Sequence, residues 1–287
     1  MDAMRGCPCK SPMEKENLDM DQPDWAPESI DTERPAAARV YDYLLGGSHN
    51  FAADRDMAHK VMVMMPDLVL QAQANRAFLN RAVNFLVESG VRQFLDIGSG
   101  IPTRGNVHEV AQKAAPESRV VYVDIDPVAV SHSRQILVGN DHATVIQEDL
   151  RNVEAILDHP ETQKMLDLDE PVAVLLVAVL HVIPDADDPH GVVARLRDRL
   201  APGSYLAIGH GTHDSRPLES KELSQLSKGT ATSLSSRTLS EVERFFTGFA
   251  LVDPGVVWAP LWRPESPDEV PDNPADSSNY AGVGRKP

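Results

Sequence analysis

Cysteine is scarce in this chain of 287 residues: there are two, Cys7 and Cys9, both in a polar N-terminal stretch. Two thiols placed so make neither a disulfide framework nor a complete zinc site, and they point to a reducing, cytoplasmic setting. Long apolar runs are also missing. The longest, Val172 to Leu180, falls well short of the roughly 20 residues that a membrane helix needs. No apolar run follows Arg5, so no secretory signal is expected. Bases are in deficit, with 27 lysines and arginines against 43 acids and a net charge of −16. Such a surface repels phosphates, which argues against nucleic acid and anionic membranes and for a small-molecule or protein partner.

What is present is a globular composition, 42% hydrophobic, enough to build a full core. Residues 1–34 hold nine acids, four bases and four prolines without an apolar period, and are expected to be a disordered acidic tail. Met4, Met13 and Met20 leave the translation start open. Residues 35–90 read as an N-terminal helical cap. ARVYDYLLGG is helical and stops at Gly46-Gly47, a second helix covers Asp54 to Met65, and a third covers Leu68 to Val87 before Ser89-Gly90.

From residue 91 to 287 strands alternate with helices. Apolar runs at 92–97, 119–124, 143–147, 172–180 and 204–209 read as strands. Helices are expected at 106–115, with Asn106 and Glu109 as a capping box, at 127–138, with Asp126 as cap and Pro127 in the first position, and at 190–200. A short helix at 241–246 is expected to be capped by Ser240 with Glu243. Two final strands, Leu251–Trp258 and Tyr280–Arg285, flank an irregular loop at about 263–279 and read as an antiparallel edge hairpin. The pattern is α/β, a doubly wound and mostly parallel sheet.

Chemistry concentrates at the carboxyl ends of the first strands. FLDIGSG places Gly98, Ser99 and Gly100 in a strand-to-helix turn, where missing side chains let the backbone approach a ligand. The GxGxxG pattern of dinucleotide sites fails at Thr103. Asp124, at the end of VVYVD, is positioned to accept both hydroxyls of a ribose, since Asp126 is accounted for as a helix cap. Asp96, inside an apolar strand, needs either N–H donors from the neighbouring turn or a ligand ammonium. Asp149 is either an acceptor for the exocyclic amine of adenine or another cap.

His181, His210 and His213 fall near the ends of the fourth and fifth strands with Asp185 and Asp214. None has the helical spacing of a zinc motif, so no metal is assigned. His181 is the candidate general base, against the plainer reading of a hydrogen-bonded rim histidine. The Met62–Met65 cluster reads as core or lid packing.

These segments resemble class I, Rossmann-like S-adenosylmethionine (SAM)-dependent methyltransferases: FLDIGSG their first motif, VVYVDIDP their second, VIQEDL their third. More closely, ARVYDYLLGGSHNFAADRD, GIPTRGNVHEVA, LLVAVLHVIPDADDP and YAGVGRK resemble a bacterial family of SAM-dependent methyltransferases without an assigned acceptor, from about Ala36 to the end. The resemblance implies a seven-stranded sheet, SAM as methyl donor, and a cofactor site that takes in Ile125 and Leu150 beside the two acids. The helix end at Tyr43, Gly46 and Gly47 is read from its residues: the glycine pair lets the backbone come close and tyrosine adds a flat body with a polar tip. The turn is therefore either a lid that covers the methionine end of SAM and forms part of the acceptor pocket or a plain C-cap and turn joining two core helices. One departure stands out: Pro102 replaces the usual third glycine of the first motif. An NAD-linked oxidoreductase and a non-catalytic SAM-binding regulator remain the alternatives.

Overall fold

The fold is seen in a computed structural model, which describes residues 30–103, 105–212, 214–215 and 235–287. Cys7, Cys9, His213, most of the acidic tail and much of the Ser/Thr-rich segment before Arg237 lie outside the described residues. Five strands, β1 (Gln93–Ile97), β2 (Arg119–Asp124), β3 (Ala143–Gln147), β4 (Ala173–Val177) and β5 (Tyr205–Gly211), pair in parallel in the order β3-β2-β1-β4-β5. β8 (Asn279–Arg285) pairs antiparallel with β5. On its far side β6 (Ala250–Leu251) and β7 (Val257–Trp258) pair with its two ends, so eight strands fill seven positions. The edge hairpin is as expected, but its first arm is broken in the middle. Asp253-Pro254-Gly255 interrupts it, where proline has no ladder N–H to give and Gly255 turns back to the Val252 carbonyl (2.7 Å).

Nine helices are described: α1 (Ala37–Leu44), α2 (Ala52–Met64), α3 (Leu68–Glu88), α4 (Val107–Ala114), α5 (Pro127–Ile136), α6 (Val153–Leu157), α7 (Pro160–Met165), α8 (Pro189–Arg199) and α9 (Leu239–Glu243). The expected caps hold at α4, where Asn106 and Glu109 satisfy each other's backbone, and at α5, where Asp126 accepts the Val128 N–H at 2.8 Å. At α9 the cap is Thr238 with Glu241, two residues earlier than Ser240 with Glu243. The same four-residue signature occurs twice in overlap there. The earlier start puts Val242 and Phe245 against the core and lets Asp214 accept the Leu239 N–H.

The period of two along each strand sorts the core into two layers. Leu95, Val121, Val123, Val174, Leu176 and Ile208 face α6, α7, α8 and Phe245-Phe246. Phe94, Val120, Tyr122, Leu175 and Ala207 face α3, α4 and α5. Trp262, fully buried, sits edge-on against Phe78 and Phe85 of α3, and Arg81 donates to its carbonyl and to that of Ala259 (both 2.8 Å). The second half of α3 therefore lies on the sheet. Its first half overhangs the carboxyl ends of the strands and carries α1 and α2 through contacts of Leu44, Ala58 and Ala72. No helix among the described residues is long and apolar enough to cross a membrane.

Candidate active site

Strand order reverses at β1, with β2 and β3 added on one side and β4 and β5 on the other, and open parallel sheets bind ligands at that switch point. A cavity of about 750 Å³ lies there, between the carboxyl ends of β1, β2 and β4 below and the first turns of α1 and α3 above. Leu68, Gln71, Ala72, Asn75, Arg76 and Leu79 of α3 line it as one helical stripe. Asp96 shares a strand face with Phe94, the face that α3 covers, and so reaches the cavity floor beside that stripe.

The glycine turn is built differently at its two glycines. Gly98 has a φ of +73° and a side chain on it would meet Val179 at 2.4 Å, so its bareness serves the contact between the β1 and β4 turns. Gly100 has a φ of +68° and open space above it, on the cavity side. The turn N–H groups of Gly98 and Ser99 go to the Val123 carbonyl, and that of Gly100 goes to Asp124 Oδ2 at 2.7 Å. None goes to Asp96. Asp124 Oδ1 accepts the Asp126 N–H at 2.8 Å, so Asp124 braces the turn as well as facing the cavity.

Burial raises both carboxyls. Asp96 is pushed up to about 7, with Arg76 pulling down and Asp124 adding repulsion. Asp124 is pushed up to about 6 by burial, against the N–H groups of Asp126 and Gly100. Asp149 goes the other way, because Arg151 grips it with both ends of its guanidinium and also pairs with Asp187 (2.7 Å). Ile125 is 59% exposed at the cavity wall, whereas Leu150 is buried beneath it.

His181 lines the cavity and its Nδ1 accepts the Gly211 N–H at 3.4 Å. Burial and Arg237 hold its ring down to about 4, so it is neutral at physiological pH. His210 faces away, fully buried: its Nδ1–H donates to the Gly211 carbonyl (2.7 Å) and Nε2 accepts from Arg237 (2.9 Å).

Asp96, Gly98, Ser99, Gly100, Asp124, Ile125, Asp149, Leu150 and His181 thus meet around one cavity. Tyr43 and Gly47 do not line it. Two positions on a helix are about 200° apart, so Tyr41 turns toward the cavity and donates to the Ala72 carbonyl (3.0 Å), while Tyr43 turns out to His59 (2.8 Å). Gly47 caps α1, its N–H donated to the Asp42 carbonyl (2.8 Å). Residues the sequence did not single out also line the cavity: Arg39, Tyr41, Gln71, Asn75, Arg76 and Asn279. A 3.6-residue reading of the third helix flags the α3 set as a stripe, but nothing local distinguishes it from core.

Residues 23–287 match the S-adenosyl methyltransferase family. The chain belongs to that family. A candidate methyltransferase from Thermobifida fusca YX is 43% identical, with a TM-score of 0.86 over 92% of this chain and 99% of its own. A DUF574 family protein from Streptomyces avermitilis MA-4680 is 40% identical, with a TM-score of 0.85 over 90% and 99%. An O-methyltransferase family protein from Burkholderia thailandensis, 15% identical over 88% of this chain and 64% of its own, shares the fold at a TM-score of 0.50. No curated protein matches. This S-adenosyl methyltransferase uses SAM as its methyl donor, and methyl transfer replaces the hydride-transfer and non-catalytic alternatives.

Proposed function

We propose that the cavity is where methyl transfer to a small-molecule acceptor takes place, in a cytoplasmic enzyme whose residues 35–90 cap a core of residues 91–287. The observation that carries this is Asp96: a carboxylate 5% exposed, on the cavity floor, to which the adjacent glycine turn sends no N–H. Arg76 pulls on it without pairing, and a buried carboxylate that forms no ion pair among the described residues calls for a cationic partner. SAM carries a sulfonium and an ammonium, so the residues present fit it.

In this reading Asp124 keeps a second lone pair on each oxygen for a ribose diol while its backbone bonds hold it in place. Ile125 offers an exposed apolar face to the adenine, Leu150 forms the floor, and Asp149 holds an oriented carboxylate for the exocyclic amine. Gly98, Ser99 and Gly100 bring the backbone close. Tyr41, Asn75, Thr212 and His181 form the acceptor end, a neutral polar wall. The volume lies within the roughly 300–1,000 Å³ of small-molecule sites.

When bound, SAM supplies a methyl group already activated by its sulfonium. What remains for the chain is to align the acceptor and exclude water. α1 and the first half of α3 roof the cavity and do the second. His181, neutral and accepting the Gly211 N–H at Nδ1, carries its proton on Nε2, so it orients the acceptor by donating that N–H and does not take a proton from it.

Two measurements test the reading. SAM and S-adenosylhomocysteine at a hundredfold excess over Kd stabilise the protein by about 2.7 kcal/mol, and NAD does not. With labelled SAM and a fractionated cell extract, label appears in the small-molecule fraction. Label in the protein fraction alone overturns the acceptor class.

A further inference from the structure

Acidic residues outnumber arginines in the cavity wall, where the described residues include three arginines: Arg39, Arg76 and Arg151. Two of them are engaged. Arg39 lies between Asp54 (3.3 Å) and Asp126 (3.7 Å) and donates to the carbonyls of Asp31 and Arg34. Arg151 is held by Asp149 and Asp187. Arg76 is not. Its Nη2 donates to the Thr103 hydroxyl (2.6 Å), its Nε is buried without an acceptor, and no carboxylate lies within ion-pair distance among the described residues. It stands near enough to Asp96 to pull on that carboxyl. A cavity built for positive charge that keeps one unengaged guanidinium beside its emptiest carboxylate is matched to a zwitterion: a cation for Asp96 and an anion for Arg76.

We infer that Arg76, oriented by Thr103, binds the carboxylate of the amino-acid end of SAM while Asp96 takes the ammonium, so that the pair selects the intact zwitterion. This rests on the reading that the cavity holds SAM. It also accounts for the departure from the glycine-rich pattern. Thr103 stands where the dinucleotide motif has its last glycine, and a hydroxyl there does what glycine cannot, fixing the guanidinium across 27 residues of sequence. Pro102 before it restricts the loop that presents the hydroxyl. Asn106 locks the same loop, accepting from the Thr103 N–H (3.1 Å) and donating to its carbonyl (2.8 Å).

The test is calorimetric titration of the full chain and its Arg76→Met variant with four ligands: SAM, S-adenosylhomocysteine, decarboxylated SAM and 5′-methylthioadenosine. Losing a charge-assisted contact weakens SAM and S-adenosylhomocysteine by about 10- to 100-fold. The two ligands without a carboxylate keep their wild-type affinity. Arg76→Lys restores part of the preference, and Thr103→Val shows the same pattern at about 3- to 10-fold. Four ligands weakened together mean that Arg76 only supports the cavity, and SAM binding unchanged in Arg76→Met means that the carboxylate lies elsewhere. Either result overturns the inference. If 5′-methylthioadenosine and SAM both fail to bind the wild-type chain, the cavity reading itself falls.

Discussion

Two groups of buried polar side chains stand at the carboxyl ends of this sheet. Around Arg237, every donor of the guanidinium's two terminal nitrogens that the fold brings inward is used: Nη1 reaches the Leu180 carbonyl and His210, and Nη2 reaches the Ile183 carbonyl and Asp185, at 2.6–2.9 Å. The phenyl ring of Phe245 closes over it. Around Asp96 the opposite holds. Its carboxyl is raised to about 7, Arg76 Nε and Ser99 Oγ are buried without partners, and Asp124 is raised to about 6. A satisfied network fixes a shape, here the β4–β5 rim against α9. An unsatisfied one of the same burial costs stability, and it makes sense where a ligand completes it.

The contrast breaks most visibly at Arg237. Arg237→Met leaves two carbonyls, His210 and Asp185 without their donor, and we expect a loss of about 3–5 kcal/mol in urea denaturation, with SAM affinity of the folded protein nearly unchanged. Asp96→Asn should do the reverse: SAM binding weakens by about 2–3 kcal/mol in calorimetry, while the ligand-free protein is no less stable at pH 8. A stability loss there comparable to that of Arg237→Met would erase the distinction.

The same carboxyls set a pH dependence. Asp96 and Asp124 titrate near 7 and 6 when folded and near 4 when unfolded, so between those values the native state holds more protons than the unfolded one. Their contribution to stability is therefore lost as pH rises from about 4 to 7. A cationic ligand favours the ionised forms, so SAM binding releases protons and tightens by up to about tenfold from pH 6 to 8. Heats measured in buffers of different ionisation enthalpy report that release, and Asp96→Asn should lose most of it.

Smaller effects sharpen the edges of the site. Asp126→Ala removes a helix cap and one partner of Arg39 and should cost about 1–2 kcal/mol of stability with little change in SAM affinity. Tyr43→Phe, outside the cavity, should shift SAM affinity by less than about 0.5 kcal/mol, whereas Tyr41→Phe frees the Ala72 carbonyl on the cavity wall and should shift it more. Equal effects at both tyrosines would mean that the lid moves as one piece.

Residue order alone was enough for the strand-helix alternation, the caps at Asn106 and Asp126, and the gathering of Asp96, Gly98, Gly100, Asp124 and Asp149 at one crevice. All of these follow from contacts within a turn or from a period of two or 3.6, which neighbouring residues carry by themselves. The choice between overlapping caps at Thr238 and Ser240 was not legible, because it depends on which start buries Val242 and Phe245. Nor was the phase that turns Tyr41 inward and Tyr43 out. Whether Asp96 draws its donors from the turn or from a ligand waited on where Val123 and Asp124 stand, and the readiness of Arg76 depends on Thr103 as Arg237 depends on Asp185, 52 residues away. Burial, pairing and pKa belong to atoms brought together across such distances, so only the packed chain decides them.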